Sequence, residues 1–367
     1  MSIQFKIDRQ GSKPLVTQLS GQIRAGIRSH KLRSNQKLPS IRDISKDCGI
    51  SEGIVRQALN RLVSTGYLTS QHGRGIFVND PNLRQRHLAL VLPTLAQEHV
   101  VRILEGVKQG LVSADVELII LSADLDFDEE SDLIRKLDID TVAGAIIYPP
   151  FLNSYVSPLI ELSERRLPFV LVDTVPENVD ADSVAADTDE MGRIAAGLLL
   201  ENGHRKIGLI DTVGDAPTAK GIWRGASEAF RNAGLPSEDL RRIAARQVEL
   251  DNVRPWAKGR DLAVELFQQH PELTAVIAAD AYIGLGAMLA FKEMGKRVPE
   301  HVSLVTIGDA TVFQVTDPPV TVVDPPYTEA GRLATKRLLE RIENPDAPRV
   351  TDRLKPTLIE RASIARR

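Results

Sequence analysis

The sequence predicts a small α+β head followed by a two-lobed α/β body with parallel sheets, and three observations carry that prediction. Residues Leu38 to Val78 show two short helical patterns across a glycine turn, then a hairpin with a basic tip. From His87 onward, near-continuous apolar runs alternate with helical patterns, the texture of strands buried on both faces. The charge also changes sign: residues 1–86 hold 15 Lys+Arg against 5 Asp+Glu, a balance of +10, while the remainder stands at −13 within a total of −3. A basic head on an acidic body is expected when only the head meets phosphate.

In the head, Leu15, Leu19, Ile23 and Ile27 recur at steps of four after Pro14, predicting an amphipathic helix over Pro14–Ile27. Lys31 to Lys37 is polar and basic, a loop suited to a phosphate backbone. Ile41, Ile44 and Cys48 then share a helical face, and Gly49 ends the run as a C-cap. Ser51 is placed to cap a second helix with the apolar stripe Ile54, Val55, Ala58, Leu59 and Leu62, ended by Gly66. Tyr67 to Val78 follows with Gly73-Arg74-Gly75 at its tip. This is how a winged helix-turn-helix reads in sequence. Arg42, Arg56, His72 and Arg74 supply donors for guanine edges and for a narrow minor groove. Cys48 is the single cysteine; it excludes internal disulfides and lies in an apolar stripe, where packing outweighs reactivity.

The spaced elements LPS-x-R, CGIS, V-R-Q-A-L-x-x-L, G-x-L and G-R-G-x-F-V resemble the DNA-binding domain of GntR-type bacterial regulators. The resemblance places Ser40, Arg42, Ser51, Arg56, His72, Gly73 and Arg74 where family members touch DNA. The opening turn of the second helix, Glu52, Gly53 and Ile54, completes the candidate contact surface. Many members have Arg directly after the cap Ser, whereas this chain has Glu52, which cannot hold a phosphate. Glu52 could accept from a cytosine amino group or merely favour a helix N-terminus; the second is preferred on sequence alone.

Asn79 to Arg86, NDPNLRQR, reads as a linker, so the expected division is head 1–78, linker 79–86 and body 87–367. The body's runs are LALVLPT, VELIILSAD, VAGAIIYPP, FVLVDTV, KIGLIDTV, AVIAAD, VSLVTIGD and VTVVDPP. Helical patterns lie between them at Met191–Asn202, Gly225–Ala233, Leu262–Gln269 and Ile283–Met294. So many strands exceed one comfortable sheet, and two lobes are expected. Ligands of such folds sit beyond the carboxyl ends of strands, where this chain places Asp124, Asp173, Asp187, Asp211, Asp280 and Asp309. Each singly is as well explained as a helix cap; the set points to a polyhydroxylated ligand.

GHRKIGLI, TAVIAADAYIGLGAMLAFKEMGKRVPEHVSLVTIGD, PPVTVVDPPYTEAGRLA and LIERAS resemble the effector domain of LacI-type repressors, which is shared with sugar-binding periplasmic proteins. The resemblance implies three crossovers between a first lobe, 87–203 plus 325–351, and a second lobe formed by the rest. A GntR-type head on this body resembles arabinose-responsive repressors. By that pattern Asp187 and Asp309 match cleft positions that bind sugar hydroxyls, and Asp280 stands where Asn is usual. A sugar-gripping Arg is replaced by Ile222, while Arg224 would project from another face. Trp223 and Trp256 offer stacking surfaces or core packing. The expected effector set is therefore Asp187, Ile222, Arg224, Trp256, Asp280 and Asp309.

Three function classes compete. The leading one is a ligand-responsive transcriptional regulator, a repressor released from an inverted-repeat operator by a sugar-like effector and acting as a homodimer in the cytoplasm, nucleoid-associated when bound. Activation, or a nucleoside or other metabolite as effector, is the alternative. An α/β enzyme ranks last: there is no Walker loop, G-x-S-x-G, HExxH or strand-linked G-x-G-x-x-G. No catalytic residue, metal or cofactor is expected. A transport binding protein would need an export signal and no basic head. No apolar run reaches membrane length.

Overall fold

The computed structural model describes residues 5–9, 14–29, 31–64, 67–71, 73–79, 87–112, 114, 116–139, 141–149, 156–176, 178–211, 213–214, 216–244, 254 and 256–367. It divides into two compact units, the first formed mainly by residues 1–88 and the second mainly by the rest. The expected linker lies outside the described residues from 80 to 86, as does Gly66.

The head contains α1 (Leu15–Arg28), α2 (Ile41–Cys48), α3 (Glu52–Ser64) and the hairpin β1 (Leu68–Gln71) and β2 (Gly75–Val78). Ser40 begins α2 through a capping box: its hydroxyl accepts from the Asp43 N–H, and the Asp43 carboxylate accepts from the Ser40 N–H. Hydrogen bonds from Ser40 hold the Asp43 carboxyl below its ordinary value. Gly49 ends α2 with φ +62°, the left-handed cap that any side chain would strain. Ser51 Oγ accepts from the Ile54 N–H at 3.3 Å and starts α3. The predicted stripes meet in one core, in which Leu19, Ile23, Ile27, Ile44, Val55, Leu59 and Leu62 are buried. The hairpin pairs antiparallel, Leu68 with Val78 and Gln71 with Gly75. Lys37 bridges to Phe77 and widens the hairpin beyond the two predicted strands.

The body holds two six-stranded sheets. The first lobe starts with β3 (His87–Leu92), α4 (Glu98–Leu111), β4 (Glu117–Ser122), α5 (Phe127–Lys136), β5 (Gly144–Ile147), α6 (Val156–Glu164), β6 (Phe169–Val172) and β7 (Asp182–Ala186). The chain then enters the second lobe: α7 (Thr188–Glu201), β8 (Ile207–Asp211), α8 (Pro217–Asn232), β9 (Leu240–Ala244), α9 (Ala257–Gln269), β10 (Ala275–Ala278), α10 (Ala281–Glu293), β11 (Ser303–Ile307) and β12 (Thr321–Asp324). It returns to the first lobe for α11 (Tyr327–Glu343) and β13 (Thr351–Leu354), and closes on the second with β14 (Thr357–Ile359). Strand order is β13-β7-β6-β5-β3-β4 in one sheet and β14-β12-β11-β10-β8-β9 in the other. β14 pairs antiparallel with β12.

The three crossovers thus fall at Asp187, at Pro325–Pro326 and at Lys355–Pro356. The expected first lobe is corrected at two edges. It ends near residue 186 rather than 203, because α7 packs on α8 of the second lobe, and on return it runs to Leu354. Strands β7, β9, β13 and β14 were not foreseen; β9 (LRRIA) and β13 (TDRL) are edge strands in which two adjacent charged residues leave no apolar run to read.

Three helix pairs cross backbone to backbone: α4 with α11, α7 with α8, and α9 with α10. A Cβ on Gly106 of α4 would lie 1.9 Å from the Thr328 carbonyl, and one on Gly225 of α8 would lie 1.8 Å from that of Asp189. Only glycine permits either crossing. The first lobe also buries an ion pair: Arg341 grips Asp182 at 2.6 and 3.0 Å and donates to the carbonyls of Pro345, Ala347 and Pro348. Arg341→Met would strand a buried carboxylate and is expected to cost about 3–5 kcal/mol in urea unfolding; a loss below about 1 kcal/mol would show the pair to be dispensable.

Candidate functional site

Two sites can be built from the sequence upward. In the head, α3 turns Val55, Ala58, Leu59 and Leu62 inward. Its other face leaves Glu52, Gly53, Arg56, Gln57 and Asn60 exposed, with Ile54 half-buried at the margin. Arg42, on the solvent side of α2, and Ser51, at the N-cap of α3, are exposed on either side of the turn. At the hairpin tip Gly73 and Arg74 are exposed, and Gly73 has φ +72°. His72 lies outside the described residues. Ser40 is committed to its capping box, so its hydroxyl orients α2 as well as facing solvent. Lys37 was read only as part of a basic loop, yet its side chain lies over the tip, with Cε 2.8 Å from where a Cβ on Gly75 would be. Lys37 thereby adds an exposed cation to the candidate surface beside Arg74.

The second site lies where strand ends of the two lobes face each other. From the first lobe come Thr94, whose hydroxyl donates to Asp124 Oδ1 at 2.8 Å, His99, Tyr148 and Asp173. The Tyr148 hydroxyl lies 3.3 Å from His99 Nε2, with the Asp173 carboxyl close enough to interact with it. Tyr327, just past the second crossover, stacks tilted on His99 with ring centroids 5.2 Å apart. From the second lobe, Asp280 caps α10, accepting from the Tyr282 N–H at 2.7 Å and the Ile283 N–H at 3.3 Å. Burial raises the carboxyls of Asp173 and Asp280, opposed at Asp280 by hydrogen bonds from the backbone N–H groups that it caps. Burial and the nearby Asp173 push both tyrosines well above their ordinary range, so they remain neutral donors. Asp124 and Asp173 both have positive φ, 49° and 67°, at the ends of lobe-one strands.

Contacts between the lobes frame this cleft. Arg102 of α4 holds Asp324 with two parallel bonds of 2.8 and 2.7 Å, and Asp324 Oδ1 also accepts from the Asp309 N–H at 3.0 Å. Glu98 Oε2 accepts from the N–H and hydroxyl of Thr311 at 2.9 and 3.2 Å. Beside the first crossover, a cavity of about 370 Å³ is lined by Asp173, Asp187, Thr188, Thr218, Lys220 and Arg353, among others.

The expected effector set is only partly gathered here. Asp187 lines that cavity while capping α7, accepting from the Glu190 N–H at 3.0 Å. Arg224 lines it too but is committed to Asp189, against which its guanidinium lies side-on. Asp309 is held by Arg361 at 2.9 and 2.6 Å. Ile222 is 3% exposed in the core of the second lobe, against the α7–α8 crossing, and lines no described cavity. Trp256 is 40% exposed at the N-terminus of α9, whereas Trp223 packs beneath Arg242. Sequence reasoning missed His99, Arg102, Tyr148, Tyr327 and Asp324. A usable signal existed for the tyrosines in Y-P-P and P-P-Y, each at the end of an apolar run.

Fold and sites together define a helix-turn-helix head followed by a two-lobed α/β body with a cleft between its lobes. Comparison with known proteins gives that class its content. Residues 15–78 match the model of bacterial regulatory proteins of the gntR family, and residues 196–364 match a periplasmic binding protein-like domain. The chain is 24% identical to the arabinose metabolism transcriptional repressor of Geobacillus stearothermophilus, covering 97% of this chain and 99% of that protein. It is also 24% identical to the transcriptional repressor PurR of Aliivibrio fischeri, over 88% of this chain and 93% of the relative. Similar solved folds include a LacI family regulator from Enterococcus faecium with bound ribose (TM-score 0.65, 21% identity, 77% of this chain and 100% of that one). Another is the transcriptional regulator CelR in complex with cellobiose (TM-score 0.65, 22% identity, 89% and 100%). The chain thus combines a head that matches the gntR model with a body that matches a periplasmic binding protein-like domain, and the named relatives are transcriptional regulators. Among the described residues no group of side chains could hold a metal ion, and no helix is long and apolar enough to cross a membrane.

His99 gives this site a pH signature. Burial, with Arg102 nearby, lowers it from 6.5 to about 4. A folded value below the unfolded one means stability is fully present above about pH 6.5 and falls as pH drops toward 4. Between pH 7 and 4.5 the wild type is expected to lose about 2 kcal/mol more than His99→Gln in urea titrations. Parallel losses would show that His99 is solvated.

Proposed function

We propose that this chain is a transcriptional repressor that binds an inverted-repeat operator as a homodimer and leaves it when a carbohydrate-like effector fills the interlobe cleft. The observation carrying the reading is the exposed face of α3, with Arg56 on a helix whose other face is locked into the head's core. Such a helix enters the major groove, where Arg reaches both acceptors of guanine. Ser40, Arg42, Ser51, Gly73, Arg74 and His72 complete the contact surface, in a division of head 1–78, linker 79–86 and body 87–367. One head offers few base contacts, so two are needed for useful specificity. Exposed apolar side chains on the body, Val101 of α4, Val112 just past its end and 83% exposed, and Ile120 of β4, support self-association.

Effector binding is assigned to Asp173, Asp187 and Asp280, with the hydroxyls of Tyr148 and Tyr327, while Asp309 is engaged by Arg361. These are acceptors and neutral donors in the pattern a polyol needs. Similar proteins that hold ribose or cellobiose support this class of ligand. The protein acts in the cytoplasm on DNA and performs no chemistry of its own. A ligand preferring one closure of the lobes shifts the population of the DNA-binding state.

Arg56→Ala is expected to weaken operator binding by about 1–3 kcal/mol in gel-shift titration. Binding should also fall steeply between low and high salt, as phosphates are neutralised; unchanged affinity in the variant removes the recognition-helix assignment. For the cleft, Asp280→Asn keeps the α10 cap, whereas Asp309→Ala would strand Arg361. Asp280→Asn is expected to lose about 1.5–3 kcal/mol of effector affinity, more than tenfold, with operator affinity intact. Calorimetry showing equal effector binding would misplace the cleft.

A further inference from the structure

We infer that Glu52 is a base-reading residue and that each operator half-site carries a cytosine whose amino group donates to its carboxylate. This rests on the DNA-binding reading above. Glu52 is the first residue of α3 and is exposed, one helical turn before Arg56 on the same face. It makes no hydrogen bond or ion pair among the described residues, not even with Arg56. The N-terminus of α3 is already capped by Ser51 Oγ on the Ile54 N–H, so Glu52 is not the capping group. Next to it Gly53 is exposed, and an added Cβ there would meet only Ser51 Oγ at 3.8 Å, so the opening turn of α3 is uncrowded at that position among the described residues.

The N-terminal residues of a recognition helix are those that reach base edges. A carboxylate there is acceptor-only, and phosphates on both sides repel it. In the major groove, guanine offers acceptors, thymine an acceptor and a methyl group, and adenine a donor beside the acceptor N7. Cytosine alone offers an amino donor without an acceptor beside it. Glu52 therefore discriminates chiefly by exclusion: it tolerates cytosine and repels the acceptor edges of the other bases.

The test is in vitro selection of DNA sites by the full chain, comparing wild type with Glu52→Ala and Glu52→Gln. Fluorescence-anisotropy titrations of the selected sites then measure each change singly. The expected result is one cytosine per half-site whose replacement costs wild type roughly tenfold. Glu52→Ala should lose that preference and keep the others, and Glu52→Gln should shift it toward adenine, which an amide meets with both a donor and an acceptor. Thermal melting of the variants checks that the exposed substitution leaves the head folded. If Glu52→Ala selects the same sites as wild type while binding all DNA more tightly, Glu52 only repels phosphate and the inference is overturned. If wild type selects no motif at all, the regulator reading falls and takes this inference with it.

Discussion

The carboxylate of Asp324 is the contact on which the body's architecture turns. It ends β12 one residue before the chain crosses back to the first lobe. From one side it takes both guanidinium bonds of Arg102, and from the other the backbone N–H of Asp309. A two-sided, charge-assisted contact at a crossover makes the spacing of the lobes depend on one group whose lone pairs are largely used. Arg102 also lies over the Tyr327 ring, 5.4 Å from its centroid, so the same guanidinium positions the aromatic wall of the cleft. Hinge geometry and pocket geometry therefore share a residue. That sharing is what a binding event needs if it is to be felt outside the pocket.

Much of the fold was legible because it rests on periodicity. The steps of four in α1, the glycine at the end of α2 and the serine before α3 are local signals, and local physics decided them. Buried parallel strands announced themselves as uninterrupted apolar runs. Edge strands did not: Thr351–Leu354 reads TDRL, and only pairing with β7 makes it a strand. The placement of α7 was misjudged for the same reason. Its sequence says helix, but its lobe is settled by the glycine-permitted crossing with α8, a contact between residues some thirty positions apart.

The cleft was legible in its acids and not in its aromatics. An aspartate at the end of an apolar run can be spotted, because few other residues interrupt such runs. Which aspartates are already occupied cannot: Arg361 meets Asp309 from 52 positions away, and Arg102 meets Asp324 from 222. Ile222 shows the opposite case. A family pattern marked it as a place of interest, and its own chemistry placed it in the core.

The prolines at the crossovers carry a mechanical consequence. Two of the three connections contain proline, Pro325–Pro326 and Pro356, and each ring fixes one φ. If one lobe turned against the other about these three connections, the two that contain proline would have fewer torsions to share the movement. Its travel should resemble a latch with two seats more than a flexing spring. A ligand acting on a latch selects a seat, and ligands of different size in the cleft would then produce the same output rather than graded ones.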